Sequence, residues 1–163
     1  MRVHRRLIAV ACWAALTVGC SDEPPAVEPI GSDTFTESGG CNQAAFWAAD
    51  EAGTLSLWLS FDIGGRRDFE DTISLPVSSP SLIELTRGVG LRQGLCGDAI
   101  MEPYEETSST RPVAGTLTLR VGPTPKDGCG TTGEVELRDV AFDDGTVIDR
   151  FAIRTESIGC FAA

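Results

Sequence analysis

The sequence predicts an all-β domain, an antiparallel β-sandwich, with a small β-barrel as the alternative architecture. Three observations lead there. Apolar residues recur with a period of two: Leu55, Leu57, Leu59 and Phe61 share one face of residues 54–61, and Leu117, Leu119 and Val121 share one face of residues 115–121. Such alternation suits a strand buried on one side. Weaker runs of the same kind occupy 69–77, 82–87, 134–142 and 146–155, and no segment sustains the i, i+3, i+4 spacing of a helix. Finally, short Gly-terminated loops separate apolar runs, as hairpins require.

Before the domain comes a leader. Met1-Arg2-Val3-His4-Arg5-Arg6 is basic, residues 7–18 are apolar, and Gly19-Cys20 follows. A charged start, a short apolar stretch and a small residue at the cut describe an export signal over 1–19. Twelve apolar residues fall short of the roughly twenty that span a bilayer as a helix. Leu16-Thr17-Val18-Gly19-Cys20 resembles a lipobox, the cleavage motif of bacterial lipoproteins, although Thr17 stands where that family usually has Leu. The resemblance implies cleavage before Cys20, lipidation of its thiol and attachment to the membrane; Ser21 in the next position implies the outer membrane. It covers residues 1–21 only.

Residues 20–40 are polar, acidic and rich in Pro and Gly, which predicts a lipidated Cys followed by a flexible tether, with a single β domain over 41–163. Within that domain, Glu51-Ala52-Gly53 and Asp143-Asp144-Gly145 read as three-residue hairpin loops. The first sets Trp47 opposite Leu57, Ala49 opposite Leu55 and Phe46 opposite Trp58. The second sets Val140 opposite Ile148, Leu137 opposite Phe151 and Val135 opposite Ile153.

Composition excludes several functions. With the three leader arginines removed, ten basic side chains face 24 acidic ones, a net charge of −14. That charge opposes binding to nucleic acid and to anionic lipid. His4 is the sole histidine and leaves with the leader, so Ser-His-Asp chemistry and imidazole metal ligation lack their parts. No cofactor is expected. Of six cysteines, Cys41, Cys96, Cys129 and Cys160 remain after Cys12 is removed and Cys20 is acylated, which in an exported chain reads as two disulfides. The second hairpin register brings Cys129 opposite position 159, one residue from Cys160. That pairing leaves Cys41 for Cys96.

The candidate sites are few. Asp68, Glu70 and Asp71 could in principle offer oxygens to Ca²⁺, but Arg66 and Arg67 sit among them and adjacent strand residues face opposite ways, so a solvated turn is expected and no metal. Phe46 and Trp58, paired across the first hairpin, would form either core or an aromatic binding platform. The segment 100–112, read as a long loop, carries the only Tyr, Tyr104, and three Glu, and would be a partner-contact surface. The expected function is therefore a non-catalytic binding or structural module of the envelope, whose partner is an envelope protein or a glycan, with no catalytic residue. The alternatives are a small carboxylate-based hydrolase, or an inhibitor presenting the 122–133 loop to an extracytoplasmic enzyme.

Overall fold

The computed structural model describes residues 29–41, 44–96, 104–124, 126 and 130–158. The leader, Cys20 and the Cys129–Cys160 pair lie outside them. The described residues form nine strands: β1 Glu37–Cys41, β2 Ala45–Ala49, β3 Leu55–Ser60, β4 Phe69–Ser74, β5 Leu82–Val89, β6 Glu105–Thr110, β7 Pro112–Val121, β8 Thr131–Phe142 and β9 Val147–Ile158. The only helical element among them is a short 3-10 turn at Leu91–Gly94.

The strands make two antiparallel sheets, ordered β1-β2-β3-β5-β6 and β4-β7-β8-β9. They pack as a β-sandwich, not a closed barrel. The facing sides meet in one apolar core. Phe46, Ala48, Leu57, Leu59, Ile83 and Leu85 come from the first sheet, and Leu117, Leu119, Val135, Leu137, Ile148 and Ile153 from the second. These residues alternate along each strand, so the period of two in the sequence becomes one buried face per sheet. Phe61 closes over Phe46 edge-on, with ring centroids 6.3 Å apart.

The domain starts earlier than a boundary at Cys41 would have it. Ile30 and Phe35 are buried, the Ile30 amide donates to the Val147 carbonyl at 2.8 Å, and Phe35 packs on Phe151 at 4.8 Å. Two isolated apolar residues in a polar stretch suffice to dock it against the edge strand β9. β1 then runs from Glu37, so the C-terminal half of the expected tether, from Ile30 onward, belongs to the fold.

The two hairpins differ in how their registers compare with the sequence reading. In β8–β9, Val140 faces Ile148, Leu137 faces Phe151 and Val135 faces Ile153, with Gly145 in the left-handed region (φ 87°) closing the three-residue turn. In β2–β3 the expected register is wrong by one residue: Phe46 faces Leu59, Trp47 faces Trp58 and Ala48 faces Leu57. The cause is Asp50. Its carboxylate accepts hydrogen bonds from the Thr54 amide (2.7 Å), the Thr54 hydroxyl (2.6 Å) and the Leu55 amide (2.8 Å). This side-chain cap holds Thr54 inside the loop, so Asp50 pairs with Leu55 and the turn has four residues.

A single displaced register step exchanges faces in a strand pair. Phe46 accordingly lies wholly in the core, and Trp47 takes the outward place beside Trp58. Phe46 and Trp58 are therefore not partners: Phe46 meets the core reading of that pair, and Trp58 lies on the outer face, so the two do not make a shared platform.

Candidate functional site

Three surface depressions deserve comparison. The largest, about 560 Å³, crosses the ends of β7, β8 and β9 between Arg120, Glu134 and Arg154. Those three charges are already matched. Glu70, Arg120, Glu134 and Arg154 are successive cross-strand partners over β4-β7-β8-β9, with Arg120–Glu70 at 2.7 Å, Arg120–Glu134 at 3.4 Å and Arg154–Glu134 at 3.3 Å. The Glu70 hydrogen bond, aided by the charges of Glu134 and Glu136, raises the Arg120 pKa despite some desolvation. One step along the same face, the Arg138 hydrogen bond lowers the Glu136 pKa against desolvation, and Arg150 adds to it. An alternating ladder of this kind satisfies itself and braces the sheet.

A second depression, about 350 Å³, is a crevice between the 76–83 segment and Arg111-Pro112, with little chemistry in it.

The third is smaller, about 160 Å³, and chemically the most distinct. Its floor is a block of four residues on the outer face of the first sheet: Ser56 and Trp58 on β3, with their partners Thr86 and Glu84 on β5. Its walls are Leu91, Leu95, Tyr104 and Glu106. Two aromatic rings, two carboxylates, two hydroxyls and two leucines thus converge. Trp58 is half-buried and Tyr104 is 39 % exposed.

Local sequence explains this arrangement. Trp47 continues the aromatic surface beside Trp58, and Gly39 on β1 lets it lie close, since a Cβ there would stand 3.1 Å from the indole. Gly88 carries a bulge between β5 and β6: past Arg87–Ser108 the register shifts, and Glu106, not Thr107, becomes the partner of Gly88. Thr107 is the extra residue, and its hydroxyl bonds the Arg87 carbonyl at 3.0 Å. The bulge therefore puts Glu106 on the same face as Thr86 and Glu84. No side chain larger than hydrogen fits at Gly88, where a Cβ would meet the Glu105 carbonyl.

The leucine wall is anchored from several directions. Leu91 donates its amide to the Gly53 carbonyl at 3.0 Å, Arg92 pairs with Glu37 on β1 and donates to the Glu51 carbonyl at 3.1 Å. Cys96 is joined to Cys41 at the end of β1, with Cα atoms 5.9 Å apart. On the floor, Glu84 Oε1 accepts from the Ser109 hydroxyl at 2.6 Å, which fixes that carboxylate on the sheet.

The structure thus brings together Trp58 and Tyr104, removes Phe46 to the core, adds Trp47 and Glu84, which sequence reasoning did not single out, and selects Glu106 from the three Glu of the 100–112 segment. Expected as loop, 105–110 is instead edge strand β6. The acidic 62–71 segment is engaged otherwise: Asp71 pairs with Arg66 at 2.7 Å, Glu70 with Arg120, and Asp68 is exposed. Among the described residues no three of His, Cys, Asp or Glu are gathered to hold a metal ion. The 122–133 loop falls partly outside the described residues. No protein-family model, curated protein or solved structure matches the chain.

Proposed function

We propose that this chain is a non-catalytic binding module, exported and held at the outer membrane through a lipid on Cys20, which contacts its ligand with the outer face of the five-stranded sheet. The observation that carries the reading is the Trp58–Tyr104 pocket: aromatic surface left open to solvent beside Glu84 and Glu106, with its floor on paired strands. Exposed aromatic side chains beside oriented polar groups are a recurrent recognition surface. A rigid support of paired strands and a disulfide keeps such a surface pre-organised and lowers the entropy lost on binding. The leader and Cys20 support the anchor, and the expected acidic tether shortens to about 21–29 because the fold begins at Ile30.

The test is thermal unfolding of the purified protein and of Trp58→Ala across a panel of neutral, anionic and cationic head-group compounds. At least one class should raise the wild-type Tm and leave the variant unmoved. Shifts equal in both proteins would place binding elsewhere. Turnover of a reporter ester or glycoside, abolished by Glu84→Gln or Glu106→Gln, would replace this reading with the hydrolase. Palmitate labelling with and without Cys20→Ala tests the anchor separately, and equal label in both would remove it.

A further inference from the structure

We infer that the pocket over Trp58 is selective for an organic cation, an ammonium or guanidinium head group, held against Trp58 and Tyr104 between the carboxylates of Glu84 and Glu106. The inference rests on the binding-module reading above and adds the ligand's chemical class to it.

The lining carries the argument. Of the eight described residues around the depression, two are aromatic, two are acidic and none is basic. The faces of indole and phenol rings carry negative potential, which attracts a cation placed over them, and carboxylates at the rim add to it. An anion would meet two like charges there and find no cationic side chain in the lining. A neutral sugar would gain stacking but would leave the acidic rim unmatched. Arg111 is the nearest described arginine to Glu84, with Nε 3.8 Å from Oε1, and it lies outside the lining. The other face differs in degree: there Glu134 sits between Arg120 (3.4 Å) and Arg154 (3.3 Å), whereas Glu84 takes the Ser109 hydroxyl at 2.6 Å and a single long pairing with Arg111 at 3.8 Å.

Size agrees with the charge. A depression of about 160 Å³ is well below the 300 Å³ or more usual for a whole drug-sized ligand, so it takes one head group. Leu91 and Leu95 give that head group an apolar side, as suits methylated ammonium or the alkyl stem of a basic side chain. The strongly acidic mature chain favours approach of a cation from any direction. Two sources supply such a group: a free quaternary ammonium compound, or a Lys or Arg side chain of a peptide.

The experiment uses the purified disulfide-bonded protein at fixed ionic strength and follows the Trp58 indole N–H resonance by NMR. The probes are choline, its uncharged carbon isostere 3,3-dimethylbutan-1-ol, Nα-acetyl-lysine amide and Nα-acetyl-arginine amide. Choline or one of the amino-acid amides should shift the Trp58 signal saturably, with the isostere at least about tenfold weaker. Preference for choline identifies the free quaternary ammonium, and preference for an amide identifies a basic peptide. Glu84→Gln and Glu106→Gln should each weaken the cation about three- to tenfold and leave the isostere unchanged. Equal response to choline and the isostere would overturn the cation assignment and leave the binding face standing. Failure of every probe here overturns the cation assignment, and failure of the whole head-group panel in the unfolding test overturns the binding face as well. The choline–isostere comparison needs no variant, so a misfolded substitution does not weaken it.

Discussion

Trp58 and Glu84 are direct partners across β3 and β5, on the side of the sheet that faces away from the core. A large ring and a carboxylate side by side there form the floor of the depression that Tyr104 and Glu106 border. The same sheet turns Phe46, Leu57, Leu59 and Ile83 the other way, into the core. Stability and recognition are therefore carried by opposite faces of the same strands, and substitutions should separate them.

The sharpest separation is between Phe46 and Trp58. Phe46→Ala empties a fully buried aromatic site and should cost about 3–5 kcal/mol in urea unfolding. Trp58→Ala removes a half-buried ring from the outer face and should cost about 1–2 kcal/mol while abolishing ligand response. Comparable costs for the two would mean that the β2–β3 register is not the one described.

That register also shows what was legible in the sequence. Alternation placed β3, β7, β8 and β9, because each has one buried face and the pattern records it. β1 and β6 escaped, since Glu37-Ser38-Gly39-Gly40-Cys41 and Glu105-Glu106-Thr107-Ser108-Ser109-Thr110 are edge strands with polar residues on both sides. Their pairing comes from the neighbour's backbone, which leaves no hydrophobic trace. Trp47 was missed because the loop was counted as three residues. Asp50 four positions before Thr54 was the available signal, an Asp positioned to cap its own turn. Glu84 carries no mark in the sequence, and nothing separates Glu106 from the other two Glu of 100–112, since only the β5–β6 bulge brings it onto the face of Glu84.

Two turn carboxylates set the acid limit of the fold. Burial pushes the Asp50 carboxyl up, but hydrogen bonds from the Thr54 hydroxyl and the Leu55 and Thr54 amides outweigh it and hold the pKa below its ordinary value. Asp144 is alike: desolvation is outweighed by the Thr146 amide and hydroxyl and by Arg87, which reaches from β5 of the other sheet at 2.7 Å. Both pKa values are lower folded than the about 3.9 of an unfolded Asp. Their contribution is thus complete above that value and is lost as pH falls through the lower folded values. Urea midpoints should be flat from pH 7 to 5 and drop below about pH 4, with a smaller drop in Asp50→Asn. An unchanged drop in that variant would remove Asp50 from the account.

The Cys41–Cys96 bridge closes a separation of 55 residues and fixes the leucine wall of the pocket to β1. In the loop-entropy model it contributes about 4 kcal/mol. The Cys41→Ala/Cys96→Ala double variant should lose about that much stability and weaken ligand response. Full ligand response in the double variant, with the stability loss present, would show that the wall is held by Arg92 and Leu91 without the bridge.

Past Gly133–Thr155, the β8–β9 ladder shifts by one residue, so that Thr131 faces Ile158. Cys129 and Cys160 lie outside the described residues, yet this is the single step that a Cys129–Cys160 disulfide requires. Non-reducing digestion and mass spectrometry should yield peptides linking Cys129 to Cys160. Peptides linking Cys96 to either would contradict both pairings.

The most direct test of the central claim is a crystal structure of the protein soaked in turn with choline, Nα-acetyl-arginine amide, acetate and a neutral sugar. The account expects one or both of the cations, and neither acetate nor the sugar, to be ordered over Trp58, with the charged head between Glu84 and Glu106 and Tyr104 alongside. Both cations absent from that pocket, with acetate or sugar ordered in the Arg120–Glu134–Arg154 cleft instead, would contradict it and move the binding face to the other sheet.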